Sequence, residues 1–197
     1  MSIFENIING FNGYIDAISG NTEPLTPHLA EAAHLMAHTL LEERKIFCCT
    51  SGHAFAAGQQ FCANLGNSQN LQRPGLPTVF LGNSQQHTLA MIDQQQSGSI
   101  YARQIQALGQ PGDLLFVIAT SGQEKPLLQA VQTAGEQQIA CIAMAGGPHP
   151  DIHNALCSQS VNIPLRCESY GQLQAMQFLA VCLLGDLVEQ LLFGTPT

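Results

Sequence analysis

The sequence predicts an α/β fold: a three-layer, doubly wound sheet of five parallel strands flanked by helices, preceded by a helical arm. Three observations predict it. Short apolar runs, Ile46–Thr50 first among them, alternate with segments of helical periodicity. Each run passes through a turn of small residues into the next helix, as a parallel strand delivers its carboxyl end to a helix N-terminus. The chain of 197 residues is long enough for one such core, and it has neither an internal repeat nor a linker. We therefore expect a single domain over 1–197, with an arm at 1–44, a sheet core at 45–168 and a long last helix at 169–193.

The elements follow in order. Ile3, Ile7, Ile8, Phe11, Ile15 and Ile18 form an apolar stripe on a first helix over 3–18. Gly20 to Pro24 reads as a break, after which Thr26-Pro27 starts a second helix reaching about Glu43. His28, His34 and His38 share that helix. His34 and His38 are one turn apart, but no acidic residue stands between them as in a zinc protease helix, so packing or interface contact is the preferred reading and no metal site is assigned. Ile46–Thr50 is strand one, and His53–Leu65 is its helix. A polar loop leads to strand two, Pro77–Leu81, and a helix from about Gln86. Tyr101–Leu108 is a further helix and Leu114–Ala119 strand three. A helix from Glu124 to about Gly135, strand four at Ile139–Met144 and a short strand five at Val161–Pro164 complete the sheet. Ser169 to Phe193 is the last helix.

Composition excludes several functions. Six Lys and Arg against fourteen Asp and Glu give a net charge of −8, and the basic residues are scattered. A nucleic-acid surface needs clustered cations, so no direct DNA or RNA contact is expected. Seven cysteines without a CxxC pair suggest reduced thiols that pack as small hydrophobes, and a cytoplasmic protein. Neither a Walker A sequence nor GxGxxG is present, so no nucleotide cofactor is assigned. No apolar run reads as a membrane span. With only 10% charged residues, apolar helix faces are lightly offset by charge, which favours oligomerisation.

Two turns carry a resemblance. Cys49-Thr50-Ser51-Gly52-His53-Ala54 and Ala119-Thr120-Ser121-Gly122-Gln123-Glu124, with Arg73-Pro74-Gly75-Leu76-Pro77 between them, resemble the sugar isomerase (SIS) domain, and within it the phosphoheptose isomerase group. Ile100 to Leu115 and the segment around Cys182 to Phe193 are most similar to the branch of DnaA initiator-associating proteins. The resemblance implies a phosphate cradle at the strand ends, formed by Thr50, Ser51, Gly52, His53, Thr120, Ser121, Gly122 and Glu124, with Gln174 beside it. It also implies an acid and a base that move a proton between adjacent sugar carbons. Those positions read Asn64 and Gln177, and a third family histidine reads Gln60, so all three are neutral amides. The first-turn serine has become Ala54, and the last serine of the second turn has become Glu124, a carboxylate that competes with a phosphate and that Lys125 would partly neutralise.

These departures imply a non-catalytic member that acts by binding. The branch implies a homotetramer, with a dimer as the alternative, that holds the replication initiator DnaA through a pair matching Leu192-Phe193. Packing of that pair on a neighbouring subunit is the competing reading. The alternative function is a phosphoheptose isomerase or another sugar-phosphate isomerase using rearranged residues, drawn from His53, Glu124 and His87. A third is a regulator that binds a sugar phosphate without turnover.

Overall fold

The computed structural model describes residues 2–67, 71–121, 123–147 and 150–194. Five parallel strands form one sheet in the order β2-β1-β3-β4-β5, with β1 at Ile46–Thr50, β2 at Thr78–Phe80, β3 at Leu114–Ala119, β4 at Ala140–Gly146 and β5 at Val161–Leu165. Parallel strands buried on both faces read as continuous apolar runs. That is how β1 and β3 stand, with every residue buried. Successive side chains alternate between two cores. Ile46, Cys48, Leu114, Phe116 and Ile118 point to the side covered by α1 (Ile3–Leu41), α2 (Phe55–Gly66) and α7 (Tyr170–Phe193). Phe47, Cys49, Leu115, Val117 and Ala119 point to the side covered by α4 (Ile100–Leu108), α5 (Lys125–Glu136) and α6 (Pro150–Ala155). The short α3 (Gln85–Asp93) precedes α4. The expected three layers are present.

The chain winds outward from β1 in both directions. β1 pairs β2 on one side and β3 on the other, with Thr50 opposite Ile118. The carboxyl ends of β1 and β3 are therefore neighbours at the point where the winding reverses, which is where open α/β sheets leave a crevice.

The amino-terminal helices differ from the expectation. Residues 3–41 are one helix of 39 residues that runs through Pro24 and Pro27. Tertiary contact overrides the breaker residues. Asn21, 1% exposed, donates to the Arg166 carbonyl at 2.7 Å and accepts from the Arg166 N–H at 2.9 Å, which fixes the helix to the end of β5 just before the first proline. Asn21, Thr22 and Thr26 also donate back to the carbonyls of Ala17, Ile18 and Thr22, as short polar side chains do inside a helix. Gly13 and Tyr14 touch the start of α7, with Gln172 donating to the Gly13 carbonyl at 3.0 Å, and from Asn21 onward α1 packs on the sheet and α7. Before it, Ile3, Phe4, Ile7, Ile8, Phe11 and Ile15 all stand more than half exposed.

Helix α7 also departs from the sequence reading, because its 24 residues are long and apolar enough by composition to cross a membrane. In the fold it is a core helix: Leu173, Met176, Ala180, Val181, Leu184 and Val188 are buried against α1 and α2. The short helix α6 had no signal in the sequence reading.

Candidate functional site

The two turns that the sequence singles out meet at the β1/β3 crevice. Ser51 and Thr120 join them, their hydroxyls hydrogen-bonded to each other, while the Ser51 N–H donates to the Ile118 carbonyl at 3.0 Å. After Ser51 the chain makes one 3-10 turn, Gly52–Ala54, before α2 begins. Gly58, on the next turn, allows this close approach: a Cβ there would stand 2.4 Å from Thr50 Cγ2 and 2.7 Å from the Phe80 ring. Tyr101 supports β1 from the other face, its hydroxyl donating to the Thr50 carbonyl at 2.7 Å. Burial pushes the Tyr101 phenol up to about 12, with a smaller effect from Cys49 and Cys48 beside it. Thr50 Oγ1 is buried without a partner.

Of the three amides that the resemblance matches to the acid–base positions, Gln177 reaches this crevice, and Gln60 and Asn64 lie farther along α2. Gln60 donates to Asn64 Oδ1 at 2.6 Å, one turn along α2. Gln177, 1% exposed on α7, donates to the Ala119 carbonyl at 2.8 Å, at the end of β3. Gln174, one turn earlier, donates to the His53 carbonyl at 3.2 Å. His53 itself is exposed, with its ring 6.3 Å from that of Tyr170. His87, on α3, carries a buried Nε2 without a partner. Gln174 and Gln177 thus tie α7 to the two turns, Gln60 and Asn64 bond each other within α2, and none of these amides can exchange a proton near neutral pH. Among the described residues no three of His, Cys, Asp or Glu gather as metal ligands.

Glu124 does what the sequence does not reveal. It precedes α5, and its Oε1 turns back to accept the N–H groups of Thr120 at 3.0 Å and Ser121 at 2.9 Å. Burial pulls its pKa upward. The N–H groups of Ser121, Glu124 itself and Thr120, with the Ser121 hydroxyl, together outweigh that and hold it below the ordinary value. Oε2 is buried without a partner. Lys125 is not paired with it: the ion pairs among the described residues are Lys45–Asp113 and Arg73–Glu189, and the Lys125 stem lies beside Gly98. The expected neutralisation by Lys125 is therefore corrected. A cleft of about 390 Å³ opens next to this turn, lined by Thr120, Ser121, Gln123, Glu168 and Tyr170 among others. Gly122 lies outside the described residues.

A family model described as SIS domain matches residues 11–146. The chain belongs to the SIS domain family. Among curated proteins, the phosphoheptose isomerase of Chromohalobacter salexigens is 32% identical over 195 residues, 99% of each chain. The DnaA initiator-associating protein DiaA of Photorhabdus laumondii is 33% identical over 171 residues, 87% of each chain. Among solved structures, a phosphoheptose isomerase from Francisella tularensis superposes with a TM-score of 0.91 at 28% identity, over 96% of this chain and 100% of the other. Relatives of this SIS domain thus include named isomerases and a named initiator-associating protein.

The carboxyl end of α7 holds the remaining predicted residues, and the structure separates them. Leu192 is half-buried against the core, whereas Phe193 is 46% exposed and lies over the Arg73 guanidinium, 5.6 Å from ring centroid to Cζ. Arg73, from the Arg-Pro loop, is a hub that sequence reasoning missed. It pairs with Glu189 at 2.6 Å, both side chains nearly buried, and donates to the carbonyls of Asn64, Leu65 and Pro74. No local spacing foretold a partner more than a hundred residues away.

Proposed function

We propose that this SIS-domain protein is non-catalytic and acts as an oligomeric scaffold for a protein partner of the DnaA initiator type. The observation that carries the reading is the state of the acid–base positions. Gln60, Asn64 and Gln177 are amides bonded to one another and to the backbone, so no proton carrier stands at the positions that the resemblance matches to the isomerase acid and base. Similarity to the initiator-associating protein supplies the class of partner. The acidic balance, without clustered cations, suits a protein partner better than DNA.

The exposed apolar stripe on the first half of α1 is the surface through which copies would associate. An oligomer carrying several partner sites raises the effective concentration of the molecules it holds. Phe193, exposed and backed by Arg73, is the stronger candidate contact of the predicted pair, and Leu192 serves mainly its own core.

The test is capture of the host's DnaA-type initiator by wild type and by Phe193→Ala. We expect the variant to keep its oligomeric mass and to lose about tenfold in affinity, roughly 1.4 kcal/mol. Unchanged capture would reject Phe193 as a contact, and no capture by wild type would reject the partner class.

The second reading, a sugar-phosphate isomerase, is favoured by the names of the relatives. It would have to recruit His53, Glu124 or His87. Sugar-phosphate binding without turnover is the third reading, and it would use the same cleft.

A further inference from the structure

We propose that Glu124 is a specificity-determining residue of the strand-end cradle: its carboxylate is the resident anion, and it excludes phosphate monoesters from donors that remain able to hold one. The inference concerns this site alone and does not depend on the identity of any protein partner.

Three observations carry it. First, Glu124 Oε1 takes the N–H groups of Thr120 and Ser121 at 3.0 and 2.9 Å, so two amides that would face a phosphate oxygen are already spent on an anion of the chain itself. Charge-assisted bonds of this kind are short and strong. Second, the seat is good enough to hold the carboxylate although Oε2 is buried with no donor. An ionised oxygen in that state is a cost that the bonds to the other oxygen must exceed. Third, among the described residues no cation lies within ion-pairing distance of the carboxylate: the ion pairs there are those of Lys45 and Arg73, and Lys125 lies along Gly98. A phosphate dianion entering the cleft would find the Thr120 and Ser121 N–H groups on its wall already taken by a carboxylate that no cation pairs, together with Glu168 on the lining. Repulsion and occupancy act in the same direction.

The donors themselves are intact. The Thr120 and Ser121 amides are fixed by the end of β3, where Gln177 ties the Ala119 carbonyl and the Ser51 and Thr120 hydroxyls link the two turns. Removing the carboxylate leaves this frame in place, and the adjoining cleft of about 390 Å³ has room for a small phosphorylated sugar. A phosphate seated on backbone N–H groups in a turn needs no further cation to be recognised.

The experiment uses the full chain as wild type, Glu124→Ser and Glu124→Ala, each checked for folding by circular dichroism. Inorganic phosphate, glucose 6-phosphate and glucose are titrated at neutral pH and followed by thermal shift and ³¹P NMR. Wild type should respond to none of the three. Glu124→Ser and Glu124→Ala should bind phosphate and glucose 6-phosphate at least tenfold more tightly than wild type, and glucose not at all. Wild type binding as tightly as the variants would overturn the proposal, as would folded variants that stay unresponsive. A separate readout needs no variant: the Thr120 and Ser121 amide ¹⁵N resonances of wild type should stay in place as phosphate is added, and movement on saturation would overturn it.

Discussion

Glu124 shows how far a single side chain can redirect a site. Its pKa is held below the ordinary 4.5 because, despite burial, backbone and hydroxyl donors favour the charged form. A group depressed in the folded state contributes stability that is present above its unfolded pKa and is lost as pH falls through the folded one. Wild type should therefore lose stability as pH drops below about 4.5, and Glu124→Gln should flatten that part of the curve; urea titrations across the acid range would show it. The Arg73–Glu189 pair makes the opposite kind of statement. Both side chains are almost wholly buried, so Arg73→Ala would strand the Glu189 carboxylate and remove the donor to the Asn64 carbonyl, while Leu65 keeps the Leu76 N–H. We expect a loss of about 3–5 kcal/mol in denaturant unfolding. At this scale the sequence was half legible. The carboxylate at 124 could be read from the second turn, and the amides at 60, 64 and 177 from the family resemblance along α2 and α7. That Glu124 folds back on its own turn, and that Arg73 finds Glu189, depended on backbone direction and distant packing, which no local pattern encodes.

At the scale of elements, most strands and helices were visible because each has one period and one stop signal. The exception is instructive. Gly20 to Pro24 marked a break and Thr26-Pro27 a new start, yet α1 continues because buried Asn21 anchors it to Arg166 and α7 covers its inner face. Asn21→Ala should cost about 1–3 kcal/mol, the usual penalty for leaving buried donors and acceptors unmatched. Amide exchange in α1 around the prolines should rise with it. The exposed half of the same helix makes a different prediction. Replacing Phe4 and Phe11 with Asp should leave the circular dichroism spectrum unchanged and lower the mass measured by light scattering to that of a smaller assembly. Retention of the wild-type mass would remove α1 as the contact between copies. Gly58 belongs here too: a methyl group at that position meets Thr50 and Phe80 head-on, so Gly58→Ala should destabilise by about 1–3 kcal/mol, and it should loosen the first turn.

For the whole molecule, the strand order β2-β1-β3-β4-β5 places both turns at one crevice, and the sequence foretold this through its alternation of apolar runs and helices. What the fold preserves is the frame of an isomerase site. Under the proposed function the residues have altered its chemistry: amides stand at the positions that the resemblance matches to proton transfer, and the Glu124 carboxylate folds back on the second turn. On the same proposal, the chain's surfaces are its means of action: the exposed apolar arm for copies of itself and the end of α7 for a partner. The most direct test is proton exchange on sedoheptulose 7-phosphate, followed by ¹H NMR in D₂O with the full-length protein. We predict no deuterium incorporation next to the carbonyl above the buffer rate. Exchange that is accelerated by wild type and lost in His53→Ala or Glu124→Gln would contradict the account, because it would show a working acid–base pair in the crevice.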